Sequence, residues 1–266
     1  MSGNGGRPGH LDIPSMKGKV GDVEWETRCD LAALYRAAAH DGYQDITLNH
    51  FTARLPDNPH RFLIKPTELM FEEVTASSLL CYTLDDELVY QSPFSKSPAS
   101  FNIHGTLLKA RPDVNCTMHL HTDAGAALSA LECGFLFISQ YAMRFWGKVA
   151  YHDYEGLVHG DDLAECQRMT KDLGDKTVMI MRNHGTLVTA RSVGEAYLFH
   201  HYLERACKIQ MDALTSGRAI VEPPPEVCAE IARGWIENRP NPGIAGDRDW
   251  AAIRRKMDRL DPGYRH

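Results

Sequence analysis

Apolar residues recur at helical spacing in some stretches of the chain and form short β-like runs in others. The pattern predicts an amphipathic helix over 24–40 that ends at Asp41-Gly42. Two β-like runs follow over 46–55 and 61–64, with a proline-containing turn between them. A further short strand is predicted directly after Asp85-Asp86. This first part is therefore predicted to be a helix followed by paired strands.

Helices and strands alternate through the chain beyond residue 100. Predicted helices cover 100–111, 123–131, 161–173 and 192–214, the last being the longest. Predicted strands cover 114–122, 147–151 and 177–181. Alternation of this kind predicts an α/β fold.

Both ends of the chain differ in composition from its middle. Residues 1–20 are rich in Gly and Pro and are predicted to be a flexible N-terminal arm, ahead of one domain over 21–218. Residues 219–266 are predicted to be a C-terminal arm, with apolar anchors such as Trp235 and Trp250 but without a fold of its own. We expect this arm to pack on a neighbouring subunit or to cover an active site.

Charge and composition exclude several classes of function. The chain has 266 residues, a formal net charge of -6 and no basic run, which argues against a nucleic-acid partner. It has no apolar stretch long enough to cross a membrane and no apolar signal core at its start, so a cytoplasmic protein is expected. Its seven cysteines include no C-x-x-C pair, so neither a disulfide framework nor a thiolate zinc site is indicated.

Two histidine motifs point to chemistry. In a strand over 114–122, alternate side chains share a face, so Asn115, Thr117, His119 and His121 lie together opposite the apolar Cys116 face. His184 ends a second apolar strand and precedes a glycine, where ligand sites often form.

Three histidines together would form a metal site with open positions for substrate. Neutral imidazole suits divalent transition metals such as Zn, Mn or Fe. The alternative is that His119 and His121 merely face solvent and that Asn183-His184-Gly185 is a simple turn. The spacing alone leaves both interpretations open.

A set of further motifs, in a fixed order over about residues 24–218, resembles the class II aldolase/adducin family. Several of them are closer to the adducin-like branch than to the sugar-phosphate aldolases. The motifs are Ile64-Lys65-Pro66-Thr67, Val74-Thr75-Ala76-Ser77-Ser78-Leu79, Arg111-Pro112-Asp113, His119-x-His121, Cys133-Gly134-Phe135-Leu136, Val149-Ala150-Tyr151-His152-Asp153-Tyr154-Glu155-Gly156, Arg182-Asn183-His184-Gly185-Thr186-Leu187-Val188, Glu195-Ala196 and Leu203-Glu204-Arg205-Ala206-Cys207.

The resemblance implies a three-layer α/β/α fold with a central, mainly antiparallel sheet. It also implies a homotetramer that acts on a small molecule, with a divalent metal near a subunit interface. The family's metal histidines fall on His119, His121 and His184 of this sequence.

The sequence departs from the aldolases at two places. Ser100 stands where the family has a glutamate that serves as metal ligand or acid/base. The residues at the family's phosphate cradle are Asn49-His50, Thr67-Glu68 and Pro98-Ala99, of which Glu68 would repel a phosphate and Pro98-Ala99 offer no side-chain donor. A phosphorylated sugar is therefore disfavoured as substrate.

Three functions remain open at this point. The first is a metal-dependent lyase, of decarboxylase or aldolase type, for a non-phosphorylated and possibly aromatic hydroxy- or keto-acid. The second is an Fe(II)-dependent oxygenase on an aromatic hydroxy acid, and the third is a non-catalytic assembly protein like the adducin head. Candidates by position for the missing acid/base are His50, Glu68, His104 and Tyr141.

Overall fold

A seven-stranded sheet forms the middle of the computed structural model, which describes residues 13–156, 163–237 and 246–266. In chain order the strands are β1 (His50–Leu55), β2 (Asn58–Ile64), β3 (Leu80–Thr83), β4 (Cys116–Leu120), β5 (Val149–His152), β6 (Val178–Met181) and β7 (Gly185–Ala190). Their order across the sheet is β3-β2-β1-β4-β7-β6-β5. Neighbouring strands are antiparallel except for the parallel pair β5 and β6. The mainly antiparallel sheet is as expected.

Helices cover both faces of this sheet. They are α1 (Asp22–His40), α2 (Pro98–Ala110), α3 (Asp123–Ser129), α4 (Gln140–Met143), α5 (Leu163–Leu173), α6 (Val193–Thr215), α7 (Pro225–Glu237) and α8 (Asp247–Leu260). One core includes Leu34 of α1, Met118 of β4 and Leu203 of α6. The other joins Leu107 of α2 to Met169 of α5. The two cores, one on each face of the sheet, confirm an α/β/α arrangement. No helix of the described residues is long and apolar enough to span a bilayer.

Two strands differ from the sequence-based expectation. The strand was predicted after Asp85-Asp86, but the strand in the structure, β3, precedes this turn and pairs with β2. The residues after the turn contribute a single bridge, between Leu88 and Tyr82 of β3. Strand β7 was not predicted, since His184 was expected to end a strand and no further strand was expected after Gly185. The first twelve residues of the predicted N-terminal arm, the first part of the helix predicted over 161–173, and residues 238–245 of the predicted C-terminal arm lie outside the described residues.

The C-terminal segment forms two helices, contrary to the expectation that it has no fold of its own. Helix α8 packs against α1 and α6 of the same chain. Trp250 is buried and its Nε1 donates to Asp30 Oδ1 at 2.9 Å. Tyr264, which follows α8, is fully buried. Trp250 and Tyr264 therefore belong to the chain's own core.

The contact between α6 and α8 predicts the effect of one substitution. A Cβ at Gly194 would lie 2.6 Å from Trp250 Cβ, so Gly194→Ala should push α8 away and lower the free energy of unfolding. Overpacking of this kind costs about 1–3 kcal/mol. Urea denaturation measures it.

The matched control is Gly105→Ala in α2, where the nearest atom would be a Phe101 ring carbon at 3.4 Å. Replacing a helical glycine by alanine without a clash should stabilise by about 0.5–1 kcal/mol. Equal effects of the two substitutions would contradict the packing of α8 on Gly194.

Candidate metal centre

Strand β4 places the first two histidines. His119 lies on β4 directly opposite His50 of β1 and Leu187 of β7, and His121 follows the strand end. The face shared by Thr117 and His119 is buried and not solvated, with His119 only 1% exposed. The solvent-facing alternative is therefore wrong for His119.

The β6–β7 turn brings His184 to the same place. Asn183 adopts a left-handed φ of 55°, which asparagine tolerates better than most residues. The backbone N–H of His184 lies 3.1 Å from Met181 O and 3.2 Å from Ser129 Oγ. A side chain on the next residue, Gly185, would lie 2.4 Å from the carbonyl oxygen of Leu120, so only glycine lets the two strands approach this closely.

The three imidazoles converge through their Nε2 atoms. His121 Nε2 lies 2.9 Å from both His119 Nε2 and His184 Nε2. Among the described residues this is the group of His, Cys, Asp or Glu side chains whose ligand atoms lie close enough to share a cation.

The protonation states of His119 and His184 fit a metal. His119 Nδ1 donates to the backbone oxygen of Thr186 at 3.0 Å, so its Nε2 carries a free lone pair. Burial, followed by the neighbouring imidazoles, holds the pKa of His119 well below its usual range. Burial also lowers the pKa of His184 to about 4. Neutral nitrogen donors are what a divalent transition metal requires.

A cavity of about 450 Å³ opens beside the histidines. It lies between the sheet, the first turns of α2 and the segment before β1. Its lining residues are Thr47, Leu48, Asn49, His50, Lys65, Thr67, Ser97, Ala99, Ser100, Ile103, His119, His121, Tyr154 and His184. Ser100, which the family resemblance places at the glutamate position, is one of these lining residues.

Two of the four acid/base candidates form a buried chain of hydrogen bonds. His50 lines the cavity, and its Nδ1 lies 2.6 Å from Nε2 of His104 on α2. His104 Nδ1 in turn lies 2.7 Å from Thr117 Oγ1. Burial holds the pKa of His50 well below its usual range and lowers that of His104 to about 3, so both rings are neutral.

The other two candidates lie away from the cavity. Glu68 is turned toward Ser95, whose backbone N–H donates to it at 3.0 Å. Tyr141 stacks on Tyr202 with ring centroids 5.5 Å apart and has the Arg205 guanidinium 5.0 Å above its ring. Neither residue lines the cavity that His119 faces.

Two residues of the site, Lys65 and Asp45, were not predicted from the sequence. Lys65 is buried and lines the cavity, although its Ile-Lys-Pro-Thr motif was used only for the family resemblance. Asp45 Oδ2 lies 3.0 Å from His121 Nδ1, a contact across 76 positions that spacing along the chain does not indicate.

Comparison with known proteins identifies the family. The model of the Class II Aldolase and Adducin N-terminal domain matches residues 29–211. The chain belongs to this family. A Caulobacter vibrioides protein assigned to aldolase class 2 is 41% identical over 256 residues, 96% of this chain and 98% of the relative. Rat alpha-adducin is 37% identical over 250 residues, 90% of this chain but only 33% of the adducin.

Solved structures share the fold of this class II aldolase family member. An aldolase II superfamily protein from Pseudomonas syringae matches with a TM-score of 0.86 and 40% identity, over 95% of this chain and all of that one. The L-fuculose 1-phosphate aldolase from Glaciozyma antarctica PI12 matches with a TM-score of 0.79 and 22% identity, over 97% of each chain. The second likeness concerns the fold alone.

The convergence of the histidines predicts a measurable metal content. Protein purified without chelator should hold about one transition-metal ion per chain by elemental analysis. His119→Ala should lose that metal, because the buried ligand is removed. His60→Ala is the matched control, since His60 is an exposed histidine of β2 that pairs with Asp85. A native protein without metal after supply of Zn, Mn and Fe would contradict a metal centre.

Proposed function

We propose that this protein is a metal-dependent lyase that cleaves a C–C bond in a non-phosphorylated hydroxy- or keto-acid. The observation that carries the proposal is the cluster of three convergent imidazoles that opens into the same cavity as a buried cation, Lys65. A scaffold protein has no chemical need for three convergent ligands beside a cavity of small-molecule size.

Lys65 supports an acid as substrate. Its Nζ donates to the backbone oxygens of Thr47, Pro66 and Leu69 at 2.7, 3.0 and 2.8 Å, and within the described residues no carboxylate forms an ion pair with it. Burial lowers the pKa of Lys65 to about 8, so the ammonium stays mostly charged at pH 7. A buried charge is stabilised by an opposite charge nearby, which a carboxylate substrate would supply.

The position of Glu68 removes one of the two reasons for which a phosphorylated substrate was disfavoured. Glu68 is bonded to Ser95 and lies outside the cavity lining, so repulsion by this side chain does not bear on the substrate. The remaining departures are at the start of α2, where Pro98 has no backbone N–H and Ala99 brings a methyl group to the cavity. They favour a substrate without a phosphate.

In this proposal His50 is the general acid/base. His119, His121 and His184 would hold a divalent metal, which would supply a Lewis acid for a substrate oxygen. His50 lines the cavity and its Nδ1 is engaged by His104, which leaves Nε2 for the substrate. We assign proton exchange with the substrate to His50 Nε2. His104 is a positioning residue, because its hydrogen bonds to His50 and Thr117 fix the ring.

Assembly in the manner of adducin is the second candidate, favoured by the 37% identity to rat alpha-adducin. A homotetramer is compatible with either function. The two are separated by turnover, which assembly does not require.

A panel of hydroxy- and keto-acids, aromatic ones included, tests the lyase proposal. Each acid is incubated without dioxygen in the presence of Mn, Fe, Co or Zn, and product masses are measured. The expected result is a product lighter by one carbon dioxide or two fragments that sum to the substrate. Turnover that occurs only with dioxygen uptake would instead indicate the Fe(II) oxygenase, and a metal-loaded protein without turnover would favour assembly.

His50→Asn tests the acid/base assignment. The variant should keep its metal, since His50 is not one of the three convergent ligands. Loss of a general acid/base lowers kcat by about 10²–10⁴-fold. The control His60→Asn, on the exposed side of β2, should turn over at the native rate. Native kcat in the His50 variant would sink the assignment.

A further inference from the structure

The segment from Asp45 to Asn49, between α1 and β1, is bound to His121 at both of its ends. Asp45 Oδ2 lies 3.0 Å from His121 Nδ1. At the other end, Asn49 Oδ1 accepts the backbone N–H of His121 at 2.7 Å, and Asn49 Nδ2 lies 3.0 Å from the same Nδ1. Thr47, Leu48 and Asn49 form part of the cavity wall. One residue, His121, therefore contacts both ends of this wall through its backbone N–H and its ring.

The backbone of the segment is held in an unfavourable conformation. Ile46 has a φ of 48° and Asn49 a φ of 63°. Asparagine tolerates the left-handed region, whereas a β-branched residue is rare there. The Ile46 side chain is 70% exposed, so packing contributes little to compensate. Contacts of its neighbours must hold it, among them the bond from Leu48 N to Asp45 O at 2.8 Å.

The two side-chain contacts at His121 Nδ1 exclude each other. A ring nitrogen that carries hydrogen donates, and one without hydrogen accepts. The Asp45 carboxylate can only accept, and Asn49 Nδ2 can only donate. The Asn49 amide is not free to turn over, because its Oδ1 already accepts the His121 backbone N–H. The position of the ring hydrogen therefore decides whether Nδ1 bonds to Asp45 or to Asn49.

A metal bound at the histidine cluster would decide whether His121 Nδ1 bonds to Asp45 or to Asn49. His121 contributes Nε2 to the cluster. A neutral imidazole that binds metal through Nε2 keeps its hydrogen on Nδ1, where a carboxylate is the best acceptor. Without metal, Nε2 can carry the hydrogen, and Nδ1 then accepts from Asn49 and loses its bond to Asp45.

We propose that Asp45 is a positioning residue for His121, and that metal binding locks the 45–49 wall of the cavity through this contact. The inference rests on the proposed metal-dependent function. Coupling of this kind is reciprocal: the metal stabilises the wall, and the Asp45 contact strengthens metal binding to the same extent. The substrate cavity is then fully formed only in the metal-loaded protein.

Metal affinity is the first test. Zinc is titrated against a competing chelator with native protein and with Asp45→Asn. Loss of a carboxylate behind a ligating histidine weakens metal binding by about 10–100-fold. The matched control is Asp57→Asn in the exposed β1–β2 turn, which should bind zinc as the native protein does. Native affinity in Asp45→Asn would overturn the proposal.

Amide hydrogen exchange is the second test and requires no activity. In the native protein, saturating zinc should slow exchange across 45–49 by about tenfold or more, because the locked wall opens less often. In Asp45→Asn at saturating zinc this protection should be absent. Equal exchange of the native segment with and without zinc would overturn the coupling.

The outcomes separate this inference from the proposed function. A native protein that binds zinc, together with an Asp45→Asn variant of equal affinity, contradicts the role of Asp45 and leaves the lyase proposal standing. A native protein that binds no metal contradicts both.

Discussion

Hydrogen bonding of β4 to a neighbour on each side is the constraint on which the rest of the structure depends. The β1–β4 register puts His50 opposite His119, and the β4–β7 register puts Leu187 there. A shift of one residue would turn the histidine face into the opposite core, since side chains alternate along a strand. The register therefore fixes both the cluster and the acid/base candidate next to it.

Much of the fold could be predicted from the sequence because its patterns are local. The spacing of apolar residues indicated α1 and α6, and alternation along β4 placed Thr117 and His119 on one face. The burial of that face could not be predicted in the same way, since it depends on α2, which covers the sheet and brings His104 to His50. Strand β7 was missed because Asn183-His184-Gly185 has the composition of a turn and the strand begins inside it.

Residues whose roles depend on contacts with residues far away in the sequence could not be predicted from patterns along the chain either. Lys65 and Asp45 lie outside any chemical motif, and their roles follow from what each side chain meets in the fold. Tyr141 and Glu68 illustrate the opposite case, because position along the chain suggested them and the fold places them away from the cavity.

Charge gives the site its chemical character. Burial keeps the His119 and His184 imidazoles neutral, so these two can bind a cation without first losing protons. The same burial surrounds the Lys65 cation with three carbonyl oxygens, to which its Nζ donates. A metal bound at these histidines would, together with the Lys65 ammonium, favour an anion between them, and this is the physical reason for proposing an acid as the substrate.

A crystal structure of zinc-loaded protein, with anomalous data collected on both sides of the zinc absorption edge, tests the central claim most directly. The account predicts one strong peak bonded to Nε2 of His119, His121 and His184, at about 2.0–2.1 Å from each nitrogen. A peak on any other set of residues, or no peak between these three rings, would contradict it.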